Sequence, residues 1–260
     1  MKNKYPIFIP SKNRASNCIT ANNLFEYIYK YSDILKIVVE PQDYNSYLKY
    51  FDDENLLQID KNDMGIAYVR QYIKDYSNKN NYKYHWQMDD DLRFKQRING
   101  KNVKSSPIDM MVKIEDYIDK YSNIGMASFR NSVFAFAQKN NMAYNKQMVS
   151  CFILNDIIKS KYRQNTIEDT DYSMQVLTEG YCTVIFNRFL YDNPPQGKNT
   201  GGNQTHSLSE NKITKCQLNL IKEWNDAFVI EMLEGKNVPS RIKPSRVWNK
   251  FEQIPLLNES

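Results

Sequence analysis

Two histidines and four cysteines are a thin supply of soft metal ligands for a chain of 260 residues. Cys18, Cys151, Cys182 and Cys216 stand far apart with no close pair, which argues against a zinc ribbon or a redox couple and favours buried free thiols in a reducing compartment. No run of about 18 apolar residues exists to span a bilayer. Met1-Lys2-Asn3-Lys4 leads into a strand-like stretch rather than the apolar region of a signal peptide. The expectation is a soluble cytoplasmic protein with no membrane partner. Only eight glycines occur, against heavy use of Lys, Asn, Ile and Tyr. That composition is associated with AT-rich genomes such as those of bacteriophages, for which the compartment would be the host cytoplasm. No internal repeat is present. With 41% hydrophobic and 13% aromatic residues the chain can bury one substantial core. Its 35 basic and 30 acidic residues leave +5, a mild excess that permits a polyanionic partner without demanding one. Composition says nothing of oligomeric state.

Apolar runs and helical periodicities alternate from the start. Tyr5 to Ile9 reads as a strand, and a helix with Leu24, Phe25, Ile28 and Tyr31 on one face begins near Ser16. Strands at Ile34 to Val39 and Leu56 to Ile59 flank a short Tyr-rich helix. After Gly65 a helix carries Ile66, Val69, Ile73 and Tyr76 on one face and leads to a fourth strand at Tyr84 to Met88. Such βαβα order predicts a mostly parallel sheet between helices, with ligands gathered outside the carboxyl ends of the strands. Beyond it the pattern predicts a helix from Ser106 and strands at Ile124 to Phe129, Val133 to Phe136 and Val149 to Leu154. A helix at Asp169 to Glu179, a strand at Tyr181 to Leu190, a Gly/Asn/Pro loop at Asn193 to Gln204 and a long helix from Ser209 to Leu233 follow. One domain over 1–235, divided near 105, and a basic segment over 236–260 are expected.

Asp89-Asp90-Asp91 ends the fourth strand. On an extended chain residues two apart project to the same side, so Asp89 and Asp91 would converge while Asp90 points away. Two hard oxygen donors suit Mg²⁺ or Mn²⁺, whose remaining ligands come from water and phosphate. A solvated acidic loop is the plain alternative. It is disfavoured by the apolar strand just before the triplet, where like charges repel unless a cation is present.

Three segments in order, Tyr5-Pro-Ile-Phe-Ile-Pro-Ser-Lys-Asn-Arg14, Met64-Gly-Ile-Ala-Tyr-Val-Arg70 and His85-Trp-Gln-Met-Asp-Asp-Asp91, resemble the nucleotide-sugar-binding segments of GT-A fold glycosyltransferases. Within them the chain is most similar to the TET/JBP-associated glycosyltransferases, enzymes that glycosylate hydroxymethylated pyrimidines in DNA. The resemblance implies an α/β GT-A (Rossmann-like) fold, a UDP-sugar donor bound mainly by residues 1–105, and Mn²⁺ or Mg²⁺ as cofactor. It places Ser11, Lys12 and Arg14 near the nucleotide, Glu40 and Gln42 at uracil or ribose, and Gly65, Arg70, Asp89, Asp90 and Lys198 along the donor. Asp91 and Asp89, with a late histidine in the position of His206, would hold the metal.

In Thr166-Ile-Glu-Asp-Thr-Asp171, acids at a helix start are favoured by capping and the helix dipole alone. Inverting GT-A enzymes carry a Glu-Asp pair at this place whose second member deprotonates the acceptor, which implies Asp169 as base and Asp171 as reserve. His85, inside the fourth strand, reads as a hydrogen-bonded core residue.

Two basic stretches bear on the acceptor: Arg93, Lys95, Arg97, Lys101 and Lys104 after the acidic turn, and Lys236, Arg241, Lys243, Arg246 and Lys250 with Trp248 and Phe251 near the C-terminus. Both suit phosphate contact with aromatic stacking, and both equally suit solvated surface. A DNA acceptor is therefore expected, with a glycan, lipid or protein acceptor as the enzyme alternative and a basic DNA-binding protein as the non-enzyme one. The Gly-rich basic loop that sugar nucleotidyltransferases carry after strand one is missing.

Overall fold

The computed structural model describes residues 5–28, 35–194, 210–224, 229–232, 239–243 and 248–258. Its first half runs β1 (Ile7–Pro10), α1 (Ile19–Ile28), β2 (Leu35–Val39), the one-turn α2 (Tyr44–Tyr47), β3 (Leu56–Gln58), α3 (Ile66–Lys79) and β4 (Tyr84–Met88). A hairpin of β5 (Arg93–Ile98) and β6 (Lys101–Lys104) follows, then α4 (Pro107–Ile118), β7 (Ile124–Asn131), β8 (Met142–Tyr144) and β9 (Cys151–Asn155). The remainder is α5 (Glu168–Thr178), β10 (Cys182–Asp192), α6 (Glu210–Trp224) and a separate antiparallel pair, β11 (Val229–Met232) and β12 (Pro239–Lys243).

The main sheet has the order β3-β2-β1-β4-β9-β7-β10-β5-β6, with β8 also paired to β10. β1 is parallel to β2 and β4, and β2 to β3, whereas β9 runs against both β4 and β7. β10 is parallel to β7. Two reversals restore direction, so β1, β2, β4, β7 and β10 all end on one edge of the sheet. That edge gathers Ser11, Glu40, Asp89, Asn131 and Asn193.

β1, β4 and β9 are buried along their whole lengths, as interior strands covered on both faces must be. Side chains alternate between two cores. Ile7, Ile9 and Trp86 pack with Leu24 of α1 and with Met111 and Ile114 of α4. On the other face Phe8, Val38 and Ile59 meet Val69 and Ile73 of α3, and Phe152 and Leu154 meet Tyr172 and Val176 of α5. α3 also buries a polar stripe at helical spacing, Arg70, Lys74 and Ser77. Lys74 Nζ donates to the carbonyls of Ile158 and Ser160, and Ser77 Oγ to Asp156, so only Arg70 is directed to the functional edge.

Three expectations are corrected, and one stretch left unassigned gains a structure. Val133 to Phe136 is no strand: β7 ends at Asn131, whose side chain accepts from Val133 N at 3.1 Å and starts a 3-10 turn at Ser132–Phe134. The long helix stops at Trp224, and Val229–Met232 is strand. Trp248 is buried with Met174, Leu177 and Leu220, and Phe251 packs against the same group, so this aromatic pair is structural rather than available for stacking on a base. The first basic stretch is a hairpin turning at Asn99 and Gly100, both with positive φ.

Candidate active site

The sheet edge opens into a cleft of about 260 Å³ between the ends of β1, β2 and β4 and the start of α3. Ser11, Lys12, Arg14, Glu40, Gly65, Arg70, Asp89, Asp90 and Asp91 all line it, together with Glu168 and Asn193. Segments 80 residues apart in sequence meet here because β1 is paired directly to β4.

The acidic triplet is built differently from an extended strand. β4 stops at Met88 and the chain turns through Asp90 and Asp91, so two-residue alternation no longer governs the carboxylates. Asp90, expected to point away, is buried in the cleft wall, where Ser11 Oγ donates to it at 2.5 Å and Arg14 ion-pairs with it. Burial still pushes its carboxyl up to about 6, because Arg14 and Ser11 only partly compensate. Arg14 Nη1 reaches Asp91 as well, at 3.1 Å, and Asn193 Nδ2 donates to Asp91 at 3.3 Å. Asp89 meets Arg70 Nη2 at 3.1 Å, and its carboxyl too is raised by burial.

Arg70 links the two acidic clusters. Its guanidinium lies over the Phe152 ring, contacts Asp89, and stands 3.9 Å from Glu168. Burial opposes its charge, and the fields of Asp89, Glu168 and Asp169 hold the charge in place. Glu168 is pushed up to about 7 by burial and by Asp169, and Asp169 is raised by burial as well. Asp169 Oδ1 accepts from Thr170 N at 2.6 Å, and Thr170 Oγ1 accepts from Gln147 at 2.8 Å, which turns this carboxylate toward the segment before β9.

Asp171 is corrected. Arg163 clamps both of its oxygens, and Trp224 and Gln175 donate to them as well, so it anchors α5 to α6 and lies away from the cleft. Glu40 is buried and salt-bridged to Lys12 at 2.7 Å. Gln42 supports it from outside, donating to Glu40 at 2.6 Å, and does not line the cleft. His85 sits in a buried chain behind the floor, between Asp156 and Gln87, each 2.9 Å away, as a core histidine should. His206 and Lys198 lie outside the described residues, as do Lys236 and Arg246. Glu168 and Asn193 were not singled out in the sequence. The Glu-Asp dipeptide was the available signal for the first, whereas nothing marked the second.

Metal binding can be judged from the donor set. Among the described residues no group of three or more His, Cys, Asp or Glu side chains is placed to hold a metal ion. An open pair, Asp89 and Asp91 beside a buried third carboxylate, fits a hard divalent cation that takes its other ligands from phosphate and water. No helix among the described residues is long and apolar enough to cross a membrane.

No curated protein sequence matches this chain. Among solved structures, the mannosyltransferase PcManGT of Pyrobaculum calidifontis, in complex with GDP-Man and Mn²⁺, superposes with a TM-score of 0.55 at 13% identity over 76% of this chain and 59% of its own. GalNAc-T7, with UDP, GalNAc and Mn²⁺, gives 0.52 at 8% identity over 86% of this chain and 48% of its own. The chain thus spans about half the length of these neighbours, and the likeness establishes the GT-A fold. The TET-associated glycosyltransferase family matches residues 5–202, which include every cleft residue from Ser11 to Asn193. The chain belongs to the TET-associated glycosyltransferase family and has the GT-A fold.

Proposed function

We propose that this enzyme transfers a hexose from a UDP-sugar to the hydroxymethyl group of 5-hydroxymethylcytosine or 5-hydroxymethyluracil in DNA, with inversion at the anomeric carbon. The carrying observation is that Arg70 binds the acidic turn and the Glu168–Asp169 pair into one cluster at the end of β4. Donor-side and acceptor-side chemistry are thereby a few ångströms apart.

The nucleotide enters beside Glu40 and Lys12, and Arg14 and Arg70 face its diphosphate, to which a guanidinium fork is matched. Asp91 and Asp89, with His206, would hold Mn²⁺ or Mg²⁺, which when bound neutralises charge on the leaving diphosphate. Arg14 then exchanges its ion pair with Asp91 for phosphate. Asp169 takes the proton of the acceptor hydroxyl, whose oxygen bonds to the anomeric carbon. The bond from that carbon to the diphosphate breaks on the opposite side, and its electron pair leaves with UDP. Glu168 lines the donor side, pushed up by burial and by Asp169, while burial raises Asp169 itself and suits it to accept a proton.

Incubating the protein with UDP-sugars, Mn²⁺ and hydroxymethylated DNA, followed by nucleoside mass spectrometry, is expected to reveal a hexose adduct. Failure with every donor and both bases would exclude the DNA acceptor and leave a glycan, lipid or protein acceptor. Asp91→Asn is expected to abolish metal-dependent transfer.

A further inference from the structure

The cations of the donor cleft are all balanced: Lys12, Arg14 and Arg70 each hold a carboxylate. Back from that edge, beside the middle of β10 and the tip of the β5–β6 hairpin, the balance is different. Where β10 turns out of register with β7 after Phe186, a second cleft of about 180 Å³ is lined by Arg97 of the hairpin, Arg188 and Lys139, with asparagines, Gln138 and Gly100 but no Asp or Glu. Nearby, Arg130 at the end of β7 is half-buried, and its guanidinium donates to the Asn187 side chain at 2.8 Å. Lys146 lies close enough for the two cations to repel. None of these five ion-pairs with a carboxylate among the described residues. Burial lowers both Arg130 and Lys146, as it does for a desolvated cation lacking its counter-ion.

Beside this band the turn after β7 exposes three large apolar side chains, Val133 at 65%, Phe134 at 58% and Phe136 at 76%. The turn is tied to the active site through a short chain of contacts: Asn131 donates to Asn193, which donates to Asp91. Cations without acids lining a groove, with exposed aromatic rings on a turn linked to the reactive centre, match a polyanionic strand whose bases stack.

We propose that the acceptor DNA strand lies along this face, with phosphates over Arg97, Lys139 and Arg188, the phosphate flanking the acceptor nucleotide at Arg130, and bases against Phe134 and Phe136. This assignment rests on the DNA reading above. An anionic lipid surface shares the charge, but cations lining a cleft beside an exposed apolar turn suit a strand better than a plane.

The test uses the full chain, a triple variant Arg97→Gln/Lys139→Gln/Arg188→Gln, and a double variant Phe134→Ser/Phe136→Ser. Each is checked by circular dichroism and by UDP and Mn²⁺ titration, which neither variant should alter. Fluorescence anisotropy with a hydroxymethylated 20-base-pair duplex, and with its modified strand alone, over a range of salt reads the affinity. The triple variant is expected to bind at least tenfold more weakly and to lower the salt slope by about 2 to 3, near 0.9 for each lost phosphate. The double variant should lose about tenfold on the single strand, with the salt slope unchanged. Parent protein that binds duplex no better than heparin-blocked control would refute the DNA reading itself. Parent binding that both variants retain would overturn this surface alone. Loss by the triple variant of binding to phosphatidylserine vesicles, with duplex affinity intact, would also overturn it in favour of a membrane.

Discussion

Glu168 carries the clearest titration signature. Its folded carboxyl is raised to about 7, above the roughly 4.3 of an unfolded glutamate, so its contribution to stability is full below about pH 4 and is lost as pH rises through 7. Thermal midpoints of the parent and Glu168→Gln between pH 5 and 8 should therefore diverge, the parent losing stability relative to the variant toward alkaline pH. Parallel curves would show that Arg70 compensates this carboxylate in full. Kinetics separate the two acids of the pair. Asp169→Asn is expected to cut transfer by at least about 100-fold, the scale of general-base catalysis, while UDP binding persists. Glu168→Gln should mainly weaken donor binding and move the pH profile. A markedly larger loss of turnover in Glu168→Gln than in Asp169→Asn would assign the base to Glu168. The triplet itself was legible in sequence, but the role of Asp90 was not, since strand alternation fails one residue after a strand ends.

Among the elements, α5 has to sit close to β7 to present Glu168 and Asp169, and Gly125 permits it. A methyl there would stand 2.7 Å from Val176 of α5 and 2.8 Å from Tyr181 Cβ. Gly125→Ala is expected to destabilise the fold by about 1–3 kcal/mol, as overpacking does, and to reduce transfer more than UDP binding. Urea denaturation with parallel activity assays checks both parts. Gly65 is limited in another way. Its φ is +82° and ψ 169°, and no atom lies within 4 Å of an added Cβ, so Gly65→Ala meets backbone strain rather than a clash. A loss of about 1–3 kcal/mol is expected, with the start of α3 and hence Arg70 displaced. The helices and parallel strands of the first half were readable from their periods. The β5–β6 hairpin was passed over as a charged stretch, although its Asn99-Gly100 turn is a strong hairpin signal. Val133 to Phe136 misled in the opposite sense, because an apolar run has no way of stating that it will face solvent.

For the molecule as a whole, ligand linkage offers the simplest test of the cleft. Mn²⁺ with UDP at a hundredfold excess over Kd should stabilise the parent by about 2.7 kcal/mol, roughly 5–10 °C in Tm for a chain of this size. Asp91→Asn should show little of that shift, and an equal shift in both would remove Asp91 from the metal site. The sequence by itself determined the alternation of elements, the existence of an acidic turn after β4, and the Glu-Asp pair, because these depend on local periodicity and residue chemistry. Only the tertiary structure decided that Asp90 serves the wall, that Asp171 is an anchor, that Trp248 is core, and that Glu168 faces Arg70. Those outcomes rest on tertiary packing: pairing β1 with β4 and inserting β9 before β7 sets which side chains share one edge, and contacts between residues distant in sequence leave no trace in local spacing.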